Sequence, residues 1–305
     1  MCNGARSVTM SAYAKINTYL EVTAKRPDGY HELCSHMQLI SLSDTLRVTL
    51  TPGEPFAMTL CCDCPGVPLG EDNLILRAAG ALLARYPLQS PARIAFELEK
   101  RIPMQGGLAG GSTDAAAALL ALCRLLDLPV TQEELLEIAT GIGADVPFCI
   151  RGRRGPQAAR GIGEILCDAP GLPEELTLVL VSPGTAVSTP QAFRALDAQM
   201  DYAALQGQEQ RFEQMLRALQ SGKLCDIAAA SWNRFEQIIL PLQQSAADVF
   251  DAMRALGAGA VRMSGSGPTI VGYFEDADAA AQCAARFEAM GYAAYLANPI
   301  THALD

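Results

Sequence analysis

Pro103-Met104-Gln105-Gly106-Gly107-Leu108-Ala109-Gly110-Gly111-Ser112-Thr113 is the stretch on which the reading of this chain turns. Four of the six residues from Gly106 to Gly111 are glycine. Before it, Ile94 to Leu98 alternates as a short strand does; after it, Ser112 to Leu126 is alanine-rich with a helical pattern. Glycines without a Cβ let backbone N–H groups converge on a ligand, and the dipole of the following helix points its positive end at the same place. The result is an anion cradle whose natural occupant is a polyphosphate. Ser112 and Thr113 add hydroxyls that can reach phosphate or a bound Mg2+. A Walker loop is excluded, because no lysine follows Gly111, and the G-x-G-x-x-G register does not fit. A plain structural turn between strand and helix is the competing reading.

Working outward, three more segments carry chemistry. Gly143-Ala144-Asp145-Val146-Pro147-Phe148 holds one carboxylate in an apolar, glycine-bounded turn. Such a group can take the proton of a substrate hydroxyl or orient it for in-line attack; alone, it reads equally as a helix cap or Asx-turn. Tyr13-Ala14-Lys15-Ile16-Asn17 sets a lysine in an otherwise apolar strand. Buried charges need partners, so Lys15 either pairs with Asp145 and stabilises phosphoryl charge or lies on an edge strand facing water. Met263-Ser264-Gly265-Ser266-Gly267-Pro268 is a glycine turn between strands, either a bare hairpin or a second wall of the phosphate site.

The rest of the chain bounds the answer. Its 305 residues allow one large or two moderate domains, and half are hydrophobic, enough for a substantial core. A formal net charge of −10 argues against nucleic acid as partner but not against a small anion. No apolar run reaches the roughly 18 residues of a membrane span, and Met1 to Arg6 lacks the pattern of a signal peptide, so a cytoplasmic protein is expected. The ten cysteines suit that compartment as small buried hydrophobes. Cys61-Cys62-Asp63-Cys64 has no second half for a zinc site and reads as a strand end before the Pro65-Gly66 turn. Strands are expected over 8–23 (a pair or one bent strand), 36–50, 177–181, 260–263, 269–274 and 293–296. Helices are expected from Asp72-Asn73, from the capping box Thr131-Gln132-Glu133-Glu134, across 190–256, and over 277–290. The end of the chain reads as a split βαβ unit, and the glycine- and arginine-rich stretch 151–163 as a boundary or hinge.

These segments, in this order, resemble the GHMP kinase superfamily, whose signature P-x-x-x-G-L-[GA]-[GS]-[GS]-S is read here from Pro103 to Ser112. Pro27-Asp28-Gly29-Tyr30-His31, Ala14-Lys15-Ile16-Asn17 and Gly143 to Phe148 narrow the likeness to its kinases of a CDP-linked methylerythritol. The likeness runs over nearly the whole chain. It implies an α+β, two-domain fold with a ribosomal-protein-S5-like N-terminal domain (1–160) that binds ATP and carries the catalytic residues. A ferredoxin-like, split βαβ C-terminal domain (161–305) follows, with the active site in the cleft between them. It implies phosphorylation of the 2-hydroxyl of CDP-methylerythritol by ATP with Mg2+, in the non-mevalonate isoprenoid pathway. Asp145 matches the catalytic base and Lys15 its partner. Residues 103–113 match the ATP phosphate loop, and Asn73 and Lys100 match residues near the nucleotide. Tyr30 and His31 match a cytosine pocket, Asn17 a polar substrate contact, and Phe193 a second aromatic wall. A flat aromatic beside a histidine suits a nucleobase, since stacking gives affinity and hydrogen bonds give identity; the alternative is a pair of core residues flanking a turn. One segment departs: Arg151 to Arg160, with four arginines, is longer than the family's glycine–alanine stretch. It implies altered substrate or ATP affinity, or a solvated loop. Another small-molecule kinase of the superfamily (homoserine, mevalonate or sugar) and a non-catalytic nucleotide- or RNA-binding module are the alternatives. The sequence leaves monomer and homodimer both open.

Overall fold

Two long strands frame the molecule in a computed structural model that describes residues 4–53 and 55–302. β1 (Arg6–Lys25) turns through Pro27-Asp28-Gly29 into β2 (His31–Pro52), and the two pair antiparallel along most of their length. Where several strands are expected over 36–50, one strand of 22 residues forms. Register shifts at Tyr13/Lys15, Asn17/Tyr19 and Val22/Ala24 let the ribbon bend without ending.

β3 (Ala57–Cys62), α1 (Leu74–Arg85) and β4 (Ala92–Glu99) extend this sheet in the order β3-β4-β2-β1. Asn73 caps α1 by accepting the Ile75 N–H at 2.8 Å. Along β4 the side chains alternate, so Ile94, Phe96 and Leu98 enter the core while their neighbours stay outside. α2 (Gly110–Leu125) lies against them. Its alanines 115–118 are all buried, and their small size lets the helix approach β1 closely. α3 (Gln132–Ile142) starts at the Thr131/Glu134 capping box and is followed by the short α4 (Val146–Arg151). A hairpin of β5 (Gln157–Arg160) and β6 (Ile165–Asp168) then pairs with β2. This hairpin spans residue 160, where the sequence reading divides the chain. The crossing from the first sheet to the second therefore falls between Asp168 and Thr177.

The second sheet takes β7 (Thr177–Ser182), whose neighbours arrive after a long helical excursion. That excursion contains α5 (Thr189–Asp197), α6 (Gln208–Ser221), α7 (Leu224–Ala230), the two-residue β8 (Trp232–Asn233), α8 (Glu236–Leu242) and α9 (Gln244–Ala255). β9 (Ala260–Met263), β10 (Ile270–Phe274), α10 (Ala277–Ala289) and β11 (Ala293–Ala297) complete it. The order β11-β7-β10-β9, antiparallel at every step, is that of a split βαβ unit. β8 returns to the first sheet, pairing parallel with β1 at Tyr19 and Leu20.

β1 feeds all three cores. Met10 and Ala12 pack with α1, α2 and β4; Ala14, Ile16 and Tyr19 pack with α6, β7 and β10; Leu20 and Val22 pack with α5, α8 and α9. Each large apolar side chain so buried contributes about 1.5–3 kcal/mol, and two of the three cores draw on both halves. The cleft between the sheets is therefore held from below by shared apolar packing. No helix among the described residues is long and apolar enough to cross a membrane.

Candidate active site

The cleft contains a cavity of about 630 Å³. Every residue from Pro103 to Ser112 lines it, together with Lys15, Asn17, Asn73, Lys100, Asp145 and Phe193. The loop enters α2 through left-handed backbone at Gln105, Gly107 and Ala109. Ala109 is the residue before the helix and provides no side-chain cap, so the first-turn amides are left for a ligand. Gly107 is the tightest point. A Cβ there would lie 2.1 Å from the Ser264 carbonyl oxygen, so only glycine lets the loop touch the 264–267 turn. The contact is bonded as well: the Ser264 hydroxyl donates to the Gly107 carbonyl at 3.0 Å, and the Thr269 N–H donates to the Gly106 carbonyl at 3.3 Å. Asn233 holds the turn from behind, donating to the carbonyls of Met263 at 2.6 Å and Gly265 at 2.8 Å. Gly265 and Ser266 reach the cavity wall. Thr113 does not; it is buried beside Cys149.

Lys15 is buried on an inner strand rather than on a sheet edge, and the register shift beside it marks the bend that aims it into the cleft. Its Nζ donates to Asn17 Oδ1 at 2.7 Å and lies 3.8 Å from Asp145 Oδ2. Asn17 in turn donates to the Ser35 hydroxyl at 2.8 Å, and Ser35 to the Tyr19 carbonyl at 2.7 Å. This relay fixes the ammonium from the side away from Asp145. Asp145 precedes α4 but makes no side-chain cap bond, and its side chain is 38 % exposed to the cavity. The carboxylate is thus held near one cation and open to a ligand.

Lys100 is buried between two carboxylates that lie far from it in sequence, Asp44 and Asp114. Asp114 Oδ2 accepts from Nζ at 2.9 Å, and Asp44 also accepts from the N–H groups of Arg101 (2.6 Å) and Ile102 (2.8 Å). Burial works against the Lys100 charge, but the two carboxylates more than offset it and hold the ammonium above its ordinary value. Burial raises the Asp114 carboxyl to about 7, with Lys100 pulling it down and Asp44 pushing it up. This cluster pins the strand end from which the glycine loop starts. A Cβ on Gly110 would sit 3.2 Å from Lys100 Nζ, so loop and cluster are in direct contact. Asn73 lines the cavity while capping α1.

At the other end, the structure rearranges the expected pocket. Phe193 lines the cavity, whereas Tyr30 and His31 do not. Tyr30 leaves the turn toward solvent, 60 % exposed. His31 is buried behind Phe193, stacked on it with centroids 4.4 Å apart and planes 20° from parallel. The reason is Asp197, which sequence reading passes over. It lies 2.7 Å from His31 Nε2 and draws the ring toward α5.

The arginine stretch is spent on structure. Arg151 pairs with Asp168, Arg153 donates to the Ser11 carbonyl and covers the Tyr13 ring, Arg154 bonds Gln132, and Arg160 makes two bonds to Glu209 of α6. None of the four arginines lines the cavity. Among the described residues no three of His, Cys, Asp and Glu are grouped to hold a metal ion. Asp63 accepts the Lys100 N–H at 2.9 Å. Nothing in the sequence near Asp44, Ser35, Asn233 or Asp197 marks them, because each acts through a partner that only the fold brings close; Asp114 directly follows the glycine loop, but its pairing with Lys100 is visible only in the fold.

Comparison with known proteins agrees with this geometry. Residues 73–153 match the model for the GHMP kinases N terminal domain, and residues 203–293 that for GHMP kinases C terminal. The chain is 40 % identical over 304 residues to 4-diphosphocytidyl-2-C-methyl-D-erythritol kinase of Desulfitobacterium hafniense, covering 98 % of this chain and 96 % of that one. It is 39 % identical over 269 residues to the protein of that name from Caldanaerobacter subterraneus subsp. tengcongensis, covering 88 % of each. A crystal structure of 4-(cytidine 5'-diphospho)-2C-methyl-D-erythritol kinase superposes with a TM-score of 0.75 at 33 % identity, over 96 % of this chain and 99 % of that one. Homoserine kinase from Cytophaga hutchinsonii superposes with a TM-score of 0.77 at 17 % identity, over 99 % and 97 %, a likeness of fold alone. The two sheets, the α+β architecture and the cleft are those of this fold, and the chain belongs to the GHMP kinases, in the family of 4-diphosphocytidyl-2-C-methyl-D-erythritol kinases.

Proposed function

We propose that this kinase transfers the γ-phosphoryl group of ATP to the 2-hydroxyl of 4-diphosphocytidyl-2-C-methyl-D-erythritol, with Asp145 as base and Lys15 as its partner. The observation that carries the reading is the pair itself: Lys15 Nζ and Asp145 Oδ2, 3.8 Å apart, share one cavity wall with the glycine loop. The loop amides and the N-terminus of α2 bind the ATP phosphates. The hydroxyl binds against Asp145, which takes its proton as the oxygen attacks the γ-phosphorus, and ADP leaves. Lys15 offsets charge gathering on the transferred group. Asn17 and Ser35 keep that ammonium from turning away.

The site suits a Mg2+ that arrives with the nucleotide. No protein cage of carboxylates is present among the described residues, and Mg2+ in phosphoryl transfer is held largely by phosphate oxygens and water. Ser112, on the wall at the start of α2, would hold it from the protein side. Its positive charge would offset the negative charge of the phosphate groups during transfer.

The cytidine end of the substrate is assigned to Phe193 on the cavity wall, with His31 stacked behind it, and the ATP end to Asn73, Lys100 and the loop. The test is ATP consumption with the cytidylyl substrate, wild type against Asp145→Asn. Removing a general base costs about 10²–10⁴ in rate, so the variant should lose at least about a hundredfold in kcat while melting at the wild-type temperature. Undiminished activity would overturn the mechanism. A panel with homoserine, mevalonate and sugars should give no turnover.

A further inference from the structure

Met263, the last residue of β9, is the peg from which the 264–267 turn hangs. Its side chain is fully buried beneath the turn, where a Cβ on Gly267 would meet Sδ at 2.4 Å. Its carbonyl accepts from the Asn233 amide at 2.6 Å, and its N–H donates to Glu236 Oε1 at 2.8 Å. Asn233 ends β8, which is itself paired to β1, and Glu236 opens α8. Glu236 does not line the cavity.

The two partners differ in kind. The Asn233 amide does not titrate, and its oxygen is occupied by the Phe235 N–H at 2.8 Å. Glu236 is partly buried and holds Met263 with a carboxylate, whose charge makes the bond about twice as strong as one to a neutral oxygen. Among the described residues, the groups that face it are Arg262 on β9 and Tyr273 on β10. Arg262 donates to the carbonyls of Val261, Ala228 and Ser231 and attracts the carboxylate through space. The Tyr273 phenol is pushed up by burial and stays neutral. Burial raises the Glu236 carboxyl to about 7, with Arg262 and the Met263 N–H pulling it down. Its protonation therefore falls within the working range of pH and weakens the hold on the peg.

We propose that Glu236 is a positioning residue for ATP: as a carboxylate it seats Met263 so that the 264–267 turn lies against Gly106 and Gly107, and protonation loosens that seat. The coupling runs through backbone. Ser264 donates to the Gly107 carbonyl and Thr269 to the Gly106 carbonyl, so a shift at Met263 passes directly to the loop. The inference rests on the reading of residues 103–113 as the ATP phosphate loop.

Glu236→Gln tests it, because the amide keeps an acceptor for the Met263 N–H and mimics the neutral carboxyl. KM for ATP is measured for wild type and variant at pH 6 and pH 8; the ratio of the two cancels the titration of ATP and of the rest of the site. At pH 8 the variant should have a KM about fivefold higher, the difference between a charged and a neutral acceptor. At pH 6, where wild-type Glu236 is protonated, the two should nearly agree. kcat and KM for the cytidylyl substrate should hold at both. A merely structural role would give the same ratio at both pH values, so a ratio that does not change with pH refutes the proposal. If the variant does not fold, the carboxyl 13C shift of wild-type Glu236 replaces it. A non-hydrolysable ATP analogue that prefers the ionised form must lower the titration midpoint, by linkage. A midpoint that stays or rises refutes the proposal. If Gly107→Ala raises KM for ATP while Glu236→Gln shows no pH-dependent effect, the loop reading stands and this one falls; wild type that consumes no ATP removes both.

Discussion

Replacing Gly107 with alanine perturbs the site at its narrowest contact, and the cost follows from two distances and one angle. The residue has φ of +77°, where an L side chain costs about 1–2 kcal/mol. The new Cβ would meet the Ser264 carbonyl oxygen at 2.1 Å and the Gly267 nitrogen at 3.1 Å. Both are backbone atoms held in a turn by Asn233, so neither yields as the tip of a flexible side chain would. Forcing such an overlap costs about 1–3 kcal/mol more. The sum, about 2–5 kcal/mol, corresponds to a fall in melting temperature of roughly 5–15 °C. The clash also drives the loop away from the 264–267 turn, so KM for ATP should rise by about tenfold or more. Gly80 is the matched control, in the interior of α1 with nothing within 4 Å of its added Cβ. Gly80→Ala should stabilise by about 0.5–1 kcal/mol, because the helix gains propensity and loses no contact. Calorimetry and ATP titration of the two variants check both signs. A Gly107→Ala protein that melts and binds ATP as the wild type does would refute the argument that this loop and turn are locked through their backbones.

Tyr30→Ala removes a largely exposed side chain and leaves the backbone bonds of Tyr30 to Asp28 and Arg26 in place, so stability should change by no more than about 0.5 kcal/mol. KM for the cytidylyl substrate should rise more than KM for ATP; equal rises would remove Tyr30 from the base end. His36 supplies a pH dependence. Its ring is fully buried between the Thr18 hydroxyl (2.6 Å) and the Pro170 carbonyl (2.8 Å). Burial lowers it to about 4, with the Pro170 bond pulling the other way. The unfolded chain binds this proton near pH 6.5 and the folded one only near 4, so stability from this group is full above about pH 6.5 and is lost as pH falls toward 4. The loss approaches about 3 kcal/mol, and urea unfolding of wild type and His36→Gln at pH 7 and pH 4.5 should show it in the wild type alone.

What could be read from local sequence was of two kinds. Capping and turn chemistry depends on residues within a few positions of each other, so the Asn73 cap, the Thr131/Glu134 box and the Pro27-Asp28-Gly29 turn were all legible. So was the glycine loop, because its signal is a run of one residue type between a strand and a helix. The sequence leaves β1 open as a pair or one bent strand and reads β2 as shorter pieces, since a register shift leaves no mark in the residues that undergo it. β5, β6 and β8 were missed; at four, four and two residues they are too short to show a period. The burial of Lys15 was ambiguous for a related reason. One lysine in an apolar run fits an edge strand as well as an inner one, and only the pairing of Lys15 with Leu39 of β2 on one side and its N–H bond to the Leu108 carbonyl on the other decides.

The sequence by itself determined the ingredients: an anion cradle at 103–113, one carboxylate at Asp145, one lysine in an apolar strand, and through their combination a kinase family. The tertiary structure decided which groups meet. It put Asp44 and Asp114 on Lys100, Asp197 on His31, and Asn233 behind the 264–267 turn. It also placed His31 behind Phe193 instead of on the cavity wall and turned the arginine stretch to structural pairing. The physical reason is the same in each case. Hydrogen bonds and ion pairs act over about 3–4 Å, and chain segments come within that range only after the shared apolar cores have closed around β1.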